Sequence, residues 1–175
     1  MFELTVPLGA DDHIIGPAHA PVTVVEYGDF ECPNCKQAAP AVKLLVRHFK
    51  DRICFAYRHF PLEEVHPHAL HAAEASECAA GQGQFWAFHD ALFEHQPHLQ
   101  LPELRTYAQQ LRLDIARYDS GMTDRAHLPR IRADIQGGRN SGARSTPTFF
   151  VAGRIQDVSF NLQALFDAVE AALRK

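Results

Sequence analysis

A Cys-x-x-Cys sequence, Cys32-Pro33-Asn34-Cys35, stands where an apolar β-branched run gives way to helical spacing, and that junction restricts the fold more than any other feature. Residues 22–28, VTVVEYG, are nearly continuous in apolar character, as expected for a strand covered on both faces of a parallel or mixed sheet. After the turn, Val42, Leu45, Val46 and Phe49 return at helical intervals, and Pro40 inside that helix is expected to kink it. Strand, tight turn and helix therefore follow one another. The first helical turn has unpaired N–H groups and the positive end of the helix dipole, both of which favour a thiolate. Pro33 suits the first helical position, where a missing N–H costs nothing.

Such a pair places two sulfurs within bonding reach, with Cys32 expected exposed at the helix tip and Cys35 behind it. The chemistry this points to is thiol–disulfide exchange, with Cys32 as the low-pKa nucleophile and Cys35 resolving the mixed disulfide. The competing reading is half of a zinc site, but no second CxxC or HxxxH stands at suitable spacing. Cys54 and Cys78 read as small buried hydrophobes, with a second redox pair between them the alternative. Glu26 lies in the strand six residues before Cys32. Buried beneath the helix start, it would accept the proton that Cys35 must lose; at a sheet edge it would merely face water. Thr146-Pro147-Thr148 begins a third strand, so Pro147 either opens that strand or follows a cis bond.

The remaining chain is organised around these points. A second apolar strand covers residues 53–57. From about His66 to Gly138 only helical patterns appear: an alanine-rich helix through Ala69, Ala72, Ala73 and Ala75; one through Phe85, Phe88 and Leu92; one through Leu104, Ala108 and Leu111; and one through Leu128, Ile131 and Ile135, expected to stop at Gly137 and Gly138. TPTFFVAGRIQDV reads as a hairpin turning near Ala152 and Gly153, and Leu162, Leu165, Phe166, Val169 and Leu173 mark a final helix. Phe85, Trp86, Phe88 and Phe93 are read as the core of the helical block, or in part as an apolar groove facing Cys32. His66, His68 and His71 are read as solvated or capping residues, and Arg125, Arg130, Arg132, Arg139 and Arg144 as a solvated face, or alternatively a positive rim near the site.

Composition excludes several other functions. With 17 Lys+Arg against 21 Asp+Glu the formal net charge is −4, so the chain lacks the overall basic charge usual for nucleic-acid binding. Its apolar runs break long before the roughly 18 residues of a membrane-spanning helix. Four cysteines in 175 residues are too few for a disulfide scaffold. Glu3, Asp11 and Asp12 interrupt the region where an export signal would need a basic start and an apolar stretch, giving a cytoplasmic expectation. No metal, flavin or nucleotide cofactor is expected.

Four separated segments carry a resemblance: GDFECPNCKQ after the apolar strand, YRHFPL, HPHALHAAEASECAAGQGQFWAFHDALF, and STPTFFVAGR before the last helix. Together they resemble the DsbA-like thioredoxin-fold thiol–disulfide oxidoreductases, from about Pro21 onward. The resemblance implies an α/β thioredoxin fold, a mixed central sheet flanked by helices, formed by residues 1–61 and 141–175 and interrupted by a helical insertion over residues 62–140. It implies that Cys32 is the nucleophile and Cys35 the resolving cysteine. It also implies that Pro147 is cis beside Cys32, with the Thr146 backbone pairing with an extended substrate; Pro33 and Asn34 complete the surface a substrate meets.

Two departures qualify the direction of electron flow. Strongly oxidising members have histidine where this chain has Asn34, so Cys32 is expected to be less acidic and its disulfide less oxidising. A cytosolic couple would also sit mostly reduced. Both favour a reductase or isomerase acting on cysteine-containing proteins or small thiols, regenerated by a thioredoxin-like system or glutathione, with neither nucleic acid nor membrane as partner. The rivals are a glutathione-dependent isomerase or transferase of kappa type, which needs one catalytic serine or cysteine, and a noncatalytic metal-binding module.

Overall fold

The structure, a computed structural model, describes residues 3–158 and 162–175. A five-stranded mixed sheet has the order β1-β3-β2-β4-β5, with β1 His13–Ile15, β2 Val22–Gly28, β3 Ile53–His59, β4 Thr148–Val151 and β5 Arg154–Gln156. β2 and β3 run parallel; the other pairings are antiparallel. Parallel neighbours require a crossover, which α1 (Pro33–Phe49) provides.

Alternation along β2 divides the core in two. Val22 and Val24 face a large cluster with Phe55, Tyr57, Phe149 and the buried side of α1, while Val25 and Tyr27 face Ala56, Phe150 and α6 (Leu128–Asn140). Both faces are covered, which explains the unbroken apolar run read from residues 22–28. The pleat assigns Glu26 to the same face as Val24, beneath α1, and there it is 3% exposed.

Five helices lie between β3 and β4: α2 Ala69–Ala80, α3 Phe85–Glu94, α4 Leu101–Gln110, α5 Ile115–Thr123 and α6. α2 is the pivot, packed against α3, α4, α5 and α6. Its alanines are buried on almost every side, and small side chains allow so many neighbours to approach. Phe85, Phe88 and Phe93 are buried, whereas Trp86 is only partly covered and donates Nε1–H to the Ile14 carbonyl. α7 (Gln163–Leu173) closes the fold, burying Leu165 and Val169.

Several expectations need correction. β1, an edge strand of three residues, is too short to show alternation. α5 was not read as a helix; its signal is Asp114, whose carboxylate accepts from the Arg117 amide at 3.1 Å as an N-cap. α6 does not stop at Gly137 and Gly138 but runs through both to Asn140. The glycines serve close packing instead: a Cβ on Gly138 would lie 2.7 Å from the Phe60 ring. The second strand extends two residues beyond Tyr57, to His59.

Candidate active site

Cys32 is the N-cap of α1, with extended backbone angles, and its carbonyl accepts the first helical bond from Lys36 at 3.2 Å. Its sulfur therefore stands at the amide end of the helix, with Pro33 in the first turn and no acidic residue there. All four cysteines are free thiols. Cys32 is not exposed at a tip, as the sequence suggested, but 4% exposed, with Sγ 3.3 Å from the Thr146 carbonyl. The Thr146–Pro147 bond is cis, and this loop lies beside Cys32. On another side Gln96 donates Nε2–H to the carbonyls of Phe30 and Cys32, at 2.9 and 2.8 Å.

The two sulfurs sit in opposite electrostatic states. The Cys35 thiol, donated to Cys32, pulls the Cys32 pKa down to about 5 against the opposing effect of burial; Thr146 and the amides of Cys35 and Asn34 add to this. No basic side chain is among these causes, so the helix end and the partner thiol suffice where Asn34 brings no charge. Cys35, 0% exposed, is pushed well above the ordinary thiol range by burial, by its shared proton with Cys32 and by the Glu26 charge. Glu26, flanked across the sheet by Tyr57 and Phe149, is raised to about 8 by burial first and by the Cys32 charge second. An apolar cavity of about 170 Å³ reaches Glu26 between Val42, Phe55, Trp86 and Phe93.

Asp29 was missed in the sequence and organises the loop before Cys32. It is 1% exposed; Oδ1 accepts from the Glu31 amide at 2.8 Å, and Oδ2 from the Leu62 amide at 2.9 Å and from His66 Nδ1 at 2.7 Å. Its own amide reaches Cys35 Sγ at 3.5 Å. A carboxylate bonding the amide two residues ahead is an Asx turn, the one signal a sequence reader has for this role. Preceding it, Gly28 permits close approach: a Cβ there would lie 2.4 Å from the Tyr57 ring. His68 Nδ1 lies 2.8 Å from Glu31. His66 and His68, expected to be solvated or capping, tie the helical block to the active-site turn; His68 does stand at the N-cap position of α2, but its side chain bonds Glu31 rather than the helix.

Asn34, Thr146, Pro147 and Arg144 line a cleft of about 550 Å³ along the start of β4. Of the arginines read as a rim, Arg144 alone borders this cleft among the described residues; Arg125 pairs with Glu74 and Arg132 with Glu63. Cys54 and Cys78 are buried, and burial raises both thiols, as befits small core residues. Among the described residues the candidate metal-type cluster is His13, His59 and Glu77; it includes neither Cys32 nor Cys35.

With that geometry in place, the chain can be set beside known proteins. The sequence profile of the family described as Thioredoxin matches residues 9–171. A solved DsbA2 of Pseudomonas aeruginosa is 29% identical, with a TM-score of 0.72 over 95% of this chain and 96% of that one. A thioredoxin-like oxidoreductase from Silicibacter pomeroyi is 26% identical, TM-score 0.81, over 95% of each chain. BdbD of Bacillus subtilis, 22% identical, shares the fold at TM-score 0.83 over 93% of this chain and 92% of its own. A protein named Na(+)/H(+) antiporter NhaA 1 from Salinispora arenicola is 49% identical over 98% of this chain, which spans 26% of that protein's length.

Proposed function

Because the chain belongs to the thioredoxin family, with DsbA-like relatives, we propose that it exchanges disulfides with cysteine-containing proteins or small thiols through Cys32 and Cys35. The carrying observation is the opposed pair of thiols at the start of α1, one held near pKa 5 and the other pushed well above 9. In the reductive direction the Cys32 thiolate attacks one sulfur of a substrate disulfide, whose other sulfur leaves as a thiolate and takes a proton. Cys35 then gives its proton to the Glu26 carboxylate and attacks Cys32 Sγ. The substrate dithiol departs, and the two electrons it gained leave Cys32 and Cys35 joined as a disulfide. Glu26 with a pKa of about 8 is ionised in roughly a tenth of molecules at pH 7, so the same carboxyl serves as acid when the cycle reverses.

We read the working direction as reductase or isomerase in the cytoplasm. A thiolate near pKa 5 lies between the roughly 3.5 of a strong oxidant and the roughly 7 of thioredoxin, so the couple is expected between about −120 and −270 mV. The cleft beside Thr146 and Pro147 suits an extended chain pairing with the Thr146 backbone ahead of β4, whose own edges are taken by β2 and β5; Asn34 lines it, and Pro33 precedes Asn34 at the start of α1. Regeneration falls to a thioredoxin-like system or glutathione. Because this chain matches a segment within antiporter-named proteins, a membrane transporter joins the protein substrates to be tested.

Equilibration with glutathione tests the direction: a potential at or above about −120 mV overturns it. Alkylation of Cys32 should titrate with a midpoint near 5. Cys35→Ser should trap mixed disulfides, including one with the transporter if that partner is right. Turnover of a small electrophile that survives Cys35→Ser would instead support the kappa-type transferase, and stoichiometric zinc lost in Cys32→Ser would support a metal module.

A further inference from the structure

Away from Cys32, three donor groups from three separate elements converge at the β1 edge of the sheet. His13 Nε2 in β1 and His59 Nε2 at the end of β3 lie 2.5 and 2.6 Å from the same atom, Oε1 of Glu77 in α2. All three donor atoms stand within 4.8 Å of one another. We propose that His13, His59 and Glu77 form a binding site for a divalent transition-metal ion of the zinc class, clipping the N-terminal strand and the helical insertion to the sheet.

The donor set selects the class of ion. Two imidazole nitrogens and one carboxylate oxygen suit zinc and its transition-metal neighbours, whereas calcium and magnesium prefer all-oxygen sites. With zinc–ligand bonds of roughly 2.0–2.1 Å, tetrahedral donors stand about 3.3 Å apart, so each imidazole nitrogen needs to move away from Glu77 Oε1 by less than about 1 Å. The rings are already oriented. Phe85 stacks on His13 at a centroid distance of 3.6 Å and an interplanar angle of 9°, and His59 is enclosed by Phe30, Tyr57 and Phe85.

Charge and access agree with a cation. Glu77 is 4% exposed, and its Oε1 already faces both imidazoles. Asp134 adds a second carboxylate, accepting from the His59 amide at 3.0 Å. Arg130 lies 4.0 Å from Oε2 of Glu77 rather than Oε1 and 3.8 Å from Asp134, and the charge of Arg58 also acts on Asp134. The His13 side chain is 13% exposed, which leaves a solvent-facing side for entry and for a water as fourth ligand.

The test uses the whole chain with Cys32 and Cys35 joined as a disulfide, so that their sulfurs do not compete. Dialysis against zinc chloride followed by elemental analysis should give one zinc per chain, with affinity at least tenfold weaker in His13→Ala and Glu77→Gln and retained in His71→Ala. Cobalt(II) should give a visible ligand-field spectrum without a thiolate charge-transfer band. Saturating zinc, at about a hundredfold over Kd, should raise the melting temperature of the unmutated chain by roughly 5–10 °C. That readout needs no variant, so a misfolded Glu77→Gln does not blunt the test. No bound zinc, no thermal shift, a sulfur-ligated cobalt spectrum, or unchanged affinity in folded His13→Ala would each overturn the site. The outcome is independent of the redox reading, which is tested on the thiols.

Discussion

Glu26 and Glu77 are both almost wholly buried, yet one stores a proton and the other a fixed negative charge. Glu26 sits on the sheet face beneath α1 with apolar neighbours and a nearby thiolate, and is raised to about 8. Glu77 sits on α2 with two imidazoles on one oxygen, and is held ionised. Burial sets the size of the electrostatic stake for both; the partners decide its sign. The proton-storing carboxylate lies under the cysteines, and the fixed charge joins the added helices to the sheet.

The largest effect expected is on stability against pH. For Glu26 the folded pKa lies above the unfolded one, so its favourable contribution is complete below about pH 4.5 and is lost as pH rises through about 8. Glu77 works in reverse: its folded pKa is depressed, so its contribution is present above about pH 4.5 and disappears as pH falls further. Between pH 5 and pH 9 the depressed Cys32 thiol works the other way, its contribution growing as pH rises, so the Glu26 effect is read as a difference: in urea unfolding the unmutated chain should lose on the order of 3–5 kcal/mol relative to Glu26→Gln across that range. If Glu26→Gln leaves the profile unchanged, the two glutamates are not opposites.

Glu77→Ala should cost a similar amount, about 3–5 kcal/mol at pH 7, since it leaves the buried His59 imidazole and the half-buried His13 imidazole without their shared acceptor. Glu26→Gln at that pH should be neutral or stabilising by the same measurement. In kinetics, Glu26→Gln should slow release of the mixed disulfide about 100-fold while leaving its formation nearly unchanged, seen by quenching and mass analysis. The smallest effect is the sharpest on mechanism. Because the Cys32 charge is the second cause of the raised Glu26 pKa, carbon-detected NMR should find that pKa lower in the disulfide form than in the dithiol.

Much of the sheet and the chemistry was legible because it is local. The two-sided burial of residues 22–28, the helix through Val42 to Phe49, and the hairpin at Ala152 and Gly153 each depend on neighbours a few residues away. What was misread depends on distant partners. Gly137 and Gly138 look like a helix stop until Phe60 and Tyr27 fill the space beside them. His66 and His68 look solvated until Asp29 and Glu31 arrive from across the chain. β1 has three residues and no pattern of its own, and owes its place to pairing with β3.

By itself the sequence determined the thioredoxin-type order of elements and the placing of a reactive cysteine at a helix start, because strand periodicity, helix spacing and the CxxC interval are all short-range. Only the tertiary structure decided which buried carboxylate holds a proton and which a charge, that Cys32 beside the Thr146 loop is buried rather than exposed, and that His13, His59 and Glu77 meet. Those outcomes depend on through-space distances between residues up to 114 positions apart, and the electrostatic energy of a buried group follows that separation in space.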